Sequence, residues 1–304
     1  MRHSIYLCFN SSNTMKKLIL ILLFILPAYG YAQVDRDTIP NEYLDSIFIH
    51  EVEVKMGDKP KVLHAEPLYI DLIRDLGARA GEKEWNVGMG MRGGQNFNEY
   101  EALIEYEWAP IDRLGFEVEL PFTLYGQFDP GEHYNRPSNR LESLKLATQW
   151  TFLVSEKHST SLALGYIHEF ELTDLNRMGQ ENLLRGNIYN PFFIAAKRWG
   201  MNYHTLIYTG PRLIREFGHP METVYEINSN FHYMITGTRN FIGIEVNKEI
   251  IDRRLQTVIR PQMRVAIAEN LMIGIVSGIP INQEIRGLQS FVRVIYEPGF
   301  RTMH

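Results

Sequence analysis

Ten histidines and a set of closely spaced carboxylates are the residues of this chain whose types suit chemistry. His64 and Glu66 stand two apart, a pair able to share a divalent cation, and His158-Ser159-Thr160 holds the atoms of a nucleophile and its base. Neither grows into a working constellation. Neighbouring residues in a turn do not face one another, no orienting acid stands beside Ser159, and His64-Ala65-Glu66 reads equally well as a polar edge. His168, His204 and His232 fall in separate segments, and no His-Glu-x-x-His, calcium loop or phosphate-binding glycine turn occurs. Glu105, Glu107, Glu117 and Glu119 occupy every second position of two neighbouring segments. Two such carboxylates can serve as the acid and base of a hydrolase, but a row of four is better explained as a cation-attracting wall. The expectation is therefore a protein without catalytic residues, metal or cofactor.

The two-residue spacing points to the elements that carry these groups. From Glu84 onward apolar and polar residues alternate almost to the end, a period that no helix uses. Trp85, Val87, Met89 and Met91 alternate with Glu84, Asn86, Gly88 and Gly90, and Tyr100, Ala102, Ile104, Tyr106 and Trp108 with Glu99, Glu101, Glu105 and Glu107. A third segment follows over 116–124, and others over 141–154, 160–172, 188–199, 203–212, 222–235, 240–251, 255–268, 271–280 and 288–297. Twelve strands result, most of about the 9–11 residues that cross a bilayer at a tilt.

Alternation alone also describes a soluble β-sandwich or lipocalin-like barrel. Three features favour the membrane. Connectors after even-numbered strands are short, whereas 126–140 and 173–187 are long, as in outer-membrane barrels; the short loop at 252–254 departs from this. Trp85, Trp108, Trp150, Trp199, Tyr203, Tyr233 and Tyr296 all fall at strand ends on one side, a candidate membrane girdle. The opposite parity carries charge: Glu105, Glu107, Glu117, Glu119, Glu169, Glu245, Glu249, Arg260, Arg264 and Arg293 are the expected lumen lining. A soluble barrel would instead turn these charges outward.

Composition sets limits. The chain has 304 residues, net charge −5 and a mean hydropathy of −0.21. That charge argues against nucleic acid as a partner. The one strongly apolar run, Leu18 to Leu26, is too short for a membrane helix, which needs about 20 residues. Preceded by Met15-Lys16-Lys17 and followed by Gly30-Tyr31-Ala32, it reads as a secretory signal peptide over 1–32, with the true start at Met15; a buried N-terminal helix is the alternative. Cleavage after Ala32 removes Arg2, Lys16 and Lys17 but no acid, so 31 basic residues become 28 against 36 acidic, a net of −8. It also removes Cys8, the only cysteine, and with it all thiol chemistry. Residues 33–83 then form a separate N-terminal segment, periplasmic or plugging the barrel and open to a protein partner. Within it Ile47 to Val54 suggests a short strand. Tyr69, Leu72, Ile73 and Leu76 predict one helix over about 67–80, with Asp71, Arg74, Asp75 and Arg79 on its far side.

Two stretches resemble known families. The hairpin Glu105-Tyr106-Glu107-Trp108-Ala109-Pro110-Ile111-Asp112-Arg113-Leu114-Gly115-Phe116-Glu117-Val118-Glu119-Leu120-Pro121-Phe122 resembles the strand, Asp-Arg-Leu turn and strand unit of the MetA-pathway phenol-degradation group of outer-membrane transporters. The block His64 to Gly77 is similar to a segment of uncharacterised exported proteins of Bacteroidota. The first resemblance implies passive transport of a small hydrophobic or aromatic solute. The sequence thus predicts an all-β, antiparallel transmembrane barrel of about twelve strands in the outer membrane of a Gram-negative bacterium, contacting its lipid and passing a small solute. Its competitor is a structural barrel with a filled lumen that docks a partner through residues 33–83 or its outer loops; a rim hydrolase at Ser159 is a third reading.

Overall fold

The computed structural model describes residues 40–54, 59–70, 72–93, 97–127, 137–281 and 288–299. The signal-peptide reading of 1–32, with Cys8 and Met15, residues 128–136 of the long loop, and the chain end lie outside the described residues.

Helix α1 (Asn41–Glu53) precedes twelve strands: β1 (Lys83–Gly93), β2 (Phe97–Ile111), β3 (Leu114–Gln127), β4 (Ser143–Ser155), β5 (Thr160–Leu172), β6 (Leu184–Trp199), β7 (Tyr203–Glu216), β8 (Glu222–Met234), β9 (Phe241–Ile251), β10 (Arg254–Ala268), β11 (Leu271–Pro280) and β12 (Gln289–Tyr296). A two-residue ladder, Arg140–Leu141 against β3, leads into β4. Each strand pairs antiparallel with the next, and β1 closes the barrel on β12, so that Trp85 stands opposite both Tyr106 and Tyr296. Closure leaves no sheet edge unpaired. At the short connection 252–253, Asp252 and Arg253 both adopt positive φ (47° and 65°), the backbone that a tight two-residue hairpin requires. The geometry of that turn, not its position, explains why this loop is as short as those at the opposite end.

Strand parity has an inverted sense relative to a soluble barrel. Val87, Met89, Ile104, Leu164, Ile207, Phe231, Ile244 and Val292 project outward and are exposed, Met89 to 65%. The inward positions hold Asn86, Glu105, Glu117, Gln149, Asn190, His204, Asn228, His232, Glu245, Gln262 and Arg293, all buried.

The N-terminal segment departs from both local expectations. Residues 47–54 are not a strand: α1 runs from Asn41 to Glu53, and its β-branched residues yield to helix because Leu44, Phe48 and Val52 share one stripe. The described residues of 67–80 carry no helix. They run through the barrel in bends and turns, with Arg74 and Gly77 at positive φ (67° and 104°). The reason is tertiary. Backbone donors are taken by wall side chains, Arg74 N being one that a helix over 67–80 would satisfy internally: Leu68 N donates to Gln262 Oε1 (2.8 Å), Ile70 N to Glu245 Oε1 (3.1 Å) and Arg74 N to Glu107 Oε2 (2.8 Å). The apolar residues that suggested a helical stripe serve two separate patches of wall. Leu72, Ile73 and Leu76 pack on Ala147, Ala163, Phe192, Ile194, Leu206 and Tyr208; Tyr69, with Ala65 and Leu68, packs on the patch of Met234, Phe241, Met272, Val276 and Phe291.

Candidate functional site

The site is the barrel interior together with the segment running through it. Adjacent strands place Glu105 directly opposite Glu119, and Glu107 opposite Glu117. Like charges so close are tolerable only with cations among them. Lys145 on β4 supplies one, 2.6 Å from Glu119 and 3.2 Å from Glu117. The Asn86 amide nitrogen lies 2.6 Å from Glu105 and 3.0 Å from Glu107. Arg293 on β12 stands 3.9 Å from Glu105, and Arg74 of the segment 3.7 Å from Glu107. Oxygens of Glu105, Glu107 and Glu117 lie within 4.8 Å of one another, a spacing that could hold a cation were these neighbours not already there.

The other expected lining residues are placed as follows. Glu245 accepts from Asn247 (2.7 Å) as well as from Ile70. Glu169 accepts from Ser143 Oγ at 3.2 Å, and Glu249 pairs with Arg212 at 3.5 Å near the long-loop end. Arg260 Cζ lies over the Tyr69 ring, 3.4 Å from its centroid, and the guanidinium donates to Gln289. Arg264 stacks on Phe241 and donates to the Arg239 carbonyl. The ten residues are thus distributed around the wall, not gathered into one centre.

Several residues of equal weight escaped the sequence reading. Arg74, expected on a helix away from its apolar stripe, is buried with Glu84 at 2.7 Å. His204 accepts from Ala65 N (3.1 Å), His64 bonds Ser161 Oγ (2.9 Å), and His232 meets Gln262 (2.8 Å). Parity alone marks His204 and His232, which stand opposite each other on β7 and β8. Nothing local announces Arg74. The His158-Ser159-Thr160 run forms a tight turn in which Thr160 Oγ1 donates to the His158 carbonyl.

Helix α1 closes over the turn end of the barrel. Asp45 accepts from Gly237 N (2.8 Å) and Asn202 (3.0 Å), Glu53 pairs with Arg198 (2.9 Å), and Arg79 caps the helix by donating to the Val52 and Glu53 carbonyls. On the outer wall at the same end, Trp85 contacts Tyr106, Tyr106 stacks on Trp108, and Trp108 on Phe116. Tyr203 touches Tyr233, and Trp150, Trp199 and Tyr296 are exposed. These rings lie towards the turn ends of their strands.

Two expected results test how the segment is seated. His64 is held at about 3, first by burial and then by His204 and Arg198, against an ordinary value near 6.5. The docked segment therefore holds His64 neutral, and a released one binds a proton below about pH 6.5. Docking is fully favoured above that pH and weakens as pH falls from 6.5 towards 3. Hydrogen exchange of the amides from Ala65 to Arg74, corrected for intrinsic rates, is expected to speed up over that window, and His64→Gln to flatten the profile. Separately, Gly115 on β3 lies so near the segment that an added Cβ would meet the Ile73 carbonyl oxygen, with Arg74 Cβ at 3.1 Å. Gly115→Ala is expected to displace the segment while leaving the barrel's heat-resistant gel mobility intact; unchanged exchange at Ile73 and Arg74 would contradict this.

The sequence signature of the HAEPLYID-like family matches residues 60–297. The chain belongs to that family. Residues 64–71 of the chain spell the letters of the family's description, and the described seven of them form the strip that docks on the inner wall. In this HAEPLYID strip His64 bonds Ser161, and Ala65 is small enough to sit against Phe241 and Met272 while donating to His204. Leu68 lies in the space left by Gly274, where a Cβ would come within 2.6 Å of it, and Tyr69 meets Arg260 and, edge-on, Phe291.

The COG4313 outer membrane channel from Pseudomonas putida F1 shares the fold at a TM-score of 0.56 and 12% identity, over 75% of this chain and 99% of that one. The NanC porin does so at 0.50 and 9%, over 69% and 97%. No curated protein matches the sequence. The likeness to outer-membrane channels, drawn above from one hairpin, therefore extends to the whole closed barrel at the level of fold.

Proposed function

We propose that this HAEPLYID-like protein is an outer-membrane channel for a small solute, closed in the state described by its own residues 59–82. The observation that carries the reading is the inversion of polarity across the wall: exposed apolar side chains outside, buried charged and amide side chains inside. The aromatic rings at the turn ends suit the headgroup level, where amphipathic rings partition. A signal peptide ending near Ala32 supplies export. The charged rows on β2, β3, β9, β10 and β12 select the solute, loops 126–140 and 173–187 border the outer mouth, and the N-terminal segment stops the inner one. A hydrophobic or aromatic solute follows from the resemblance of the 105–122 hairpin to the phenol-degradation transporters.

Liposome swelling with purified protein tests the channel: solute entry that rises once the segment is displaced supports it, and no flux under any condition overturns it. Quenching of Trp85, Trp150 and Trp199 by brominated lipid tests the location; rings no more quenched than free tryptophan in water would place them outside a membrane. The filled lumen also favours a second reading, an interaction barrel whose released segment docks a partner. A stoichiometric partner lost on removing 33–83, with no change in conductance, would select it. A rim hydrolase requires lipid turnover that disappears in Ser159→Ala.

A further inference from the structure

Where α1, the segment and the barrel turns meet, a cavity of about 450 Å³ remains. We propose that this cavity binds a small monocarboxylate with an apolar body, its carboxylate anchored by Arg264. The inference concerns the junction of segment and barrel, and it does not depend on whether the barrel conducts.

The charges around the cavity decide the class of ligand. Lys61 reaches Asp75 at 2.5 Å and Glu82 at 3.4 Å; Arg239 reaches Glu297 at 2.7 Å; Arg74 reaches Glu84 at 2.7 Å. Arg79 is occupied by the end of α1. Arg264, also on the cavity wall and buried, is treated differently. Its Nε donates to the Arg239 carbonyl at 3.2 Å and its plane covers Phe241, but the carboxylate it approaches among the described residues is Glu66, at 3.9 Å. That is beyond hydrogen-bond length. Burial, with Asp75 and Glu84 nearby, raises the Glu66 carboxyl well above the usual carboxylate range. A buried guanidinium without a hydrogen-bonded anion is costly, and a carboxylate matches its fork of donors.

The rest of the wall sets the body of the ligand. Phe48 and Val52 from α1, Leu63 from the segment and Met234 from the end of β8 line the same cavity. Its volume falls in the range of small-molecule sites, about 300–1,000 Å³. Among the described residues of this lining, Arg264 is the buried cation left without a hydrogen-bonded anion; with these apolar side chains on the wall and carboxylates such as Glu51 and Asp112 also facing it, a short alkanoate fits better than a sugar or a dianion.

The test uses the full chain in lipid nanodiscs, with empty nanodiscs as the blank and hexanoate as the probe, read by calorimetry. Saturable binding is expected, with hexanamide weaker by about tenfold or more, the value of a charge-assisted hydrogen bond. Arg264→Gln is expected to lose binding by a similar factor, and Arg264→Lys to retain part of it, with heat-resistant gel mobility reporting that each barrel has folded. If Arg264→Gln fails to fold, the hexanoate to hexanamide ratio on the native chain still decides. No saturable hexanoate binding, equal binding of the amide, or unchanged binding in folded Arg264→Gln overturns the proposal. Swelling assays are independent of all three readouts, so failure of the channel reading is distinguishable from failure of this one.

Discussion

Deleting residues 41–82 is expected to raise entry of a small neutral sugar into vesicles by on the order of tenfold or more, because the segment occupies the interior that a twelve-stranded wall encloses. Leu72, Ile73 and Leu76 cover one apolar patch of that interior, Ala65 and Leu68 another, and α1 lies across the turn end. Once they are gone, the interior exposes those two apolar patches among the amide and charged side chains of the lining, which water wets readily. The wall itself depends on strand pairing, β1 to β12 included, so the shortened chain is expected to keep its heat-resistant mobility. Swelling rates of the two proteins at equal incorporation measure the effect. Equal rates would mean that the interior is blocked by the wall's own side chains, and the channel reading would give way to the filled interaction barrel.

The second large effect is expected at Arg74. Its guanidinium lies 2.7 Å from Glu84, 3.7 Å from Glu107, 3.5 Å from Asp75 and 3.8 Å from Glu82, and it is almost wholly buried. Replacing it with alanine leaves buried carboxylates uncompensated, a loss of about 3–5 kcal/mol for breaking such a pair from one side. Arg74→Ala is therefore expected to free the segment, accelerating exchange of its amides and raising swelling rates towards those of the deletion. Pairing it with Glu84→Gln should return part of the loss, since the double variant no longer buries that charge. For comparison, the Arg177–Glu181 pair at the long-loop end is exposed on both sides, and its removal is expected to cost no more than about 0.5 kcal/mol. An Arg74→Ala effect as small as that would show water reaching the cluster.

The barrel was legible because its grammar is local. Each strand writes its own two faces, so the parity of Glu105 against Ile104, or Arg264 against Val265, is readable without knowing the neighbours. The segment before β1 is not local in that sense. Tyr69, Leu72, Ile73 and Leu76 have helical spacing, yet the amides of Leu68, Ile70 and Arg74 among them are claimed by Gln262, Glu245 and Glu107, residues 33 to 194 positions away. Such partners leave no trace in a window of ten residues. The same holds for Arg74, placed by that spacing away from the apolar stripe, whose partners lie on β1 and β2. In α1, β-branched residues argued for a strand, while the contacts that select the helix, Asp45 with Gly237 and Arg79 with the final turn, again come from afar.

The closing seam carries one more consequence. The first and last strands must find each other across the whole length of the barrel sequence, the most remote pairing in the molecule. The segment touches both sides of that seam: Arg74 holds Glu84 on β1, and Tyr69 packs on Phe291 of β12. Because it is joined directly to β1, it cannot be threaded into a finished cylinder without passing the rim, whereas a curling sheet can wrap around it. A sheet that wraps around the segment is expected to bring β12 to β1 sooner, so the chain lacking residues 41–82 is expected to refold more slowly than the full one.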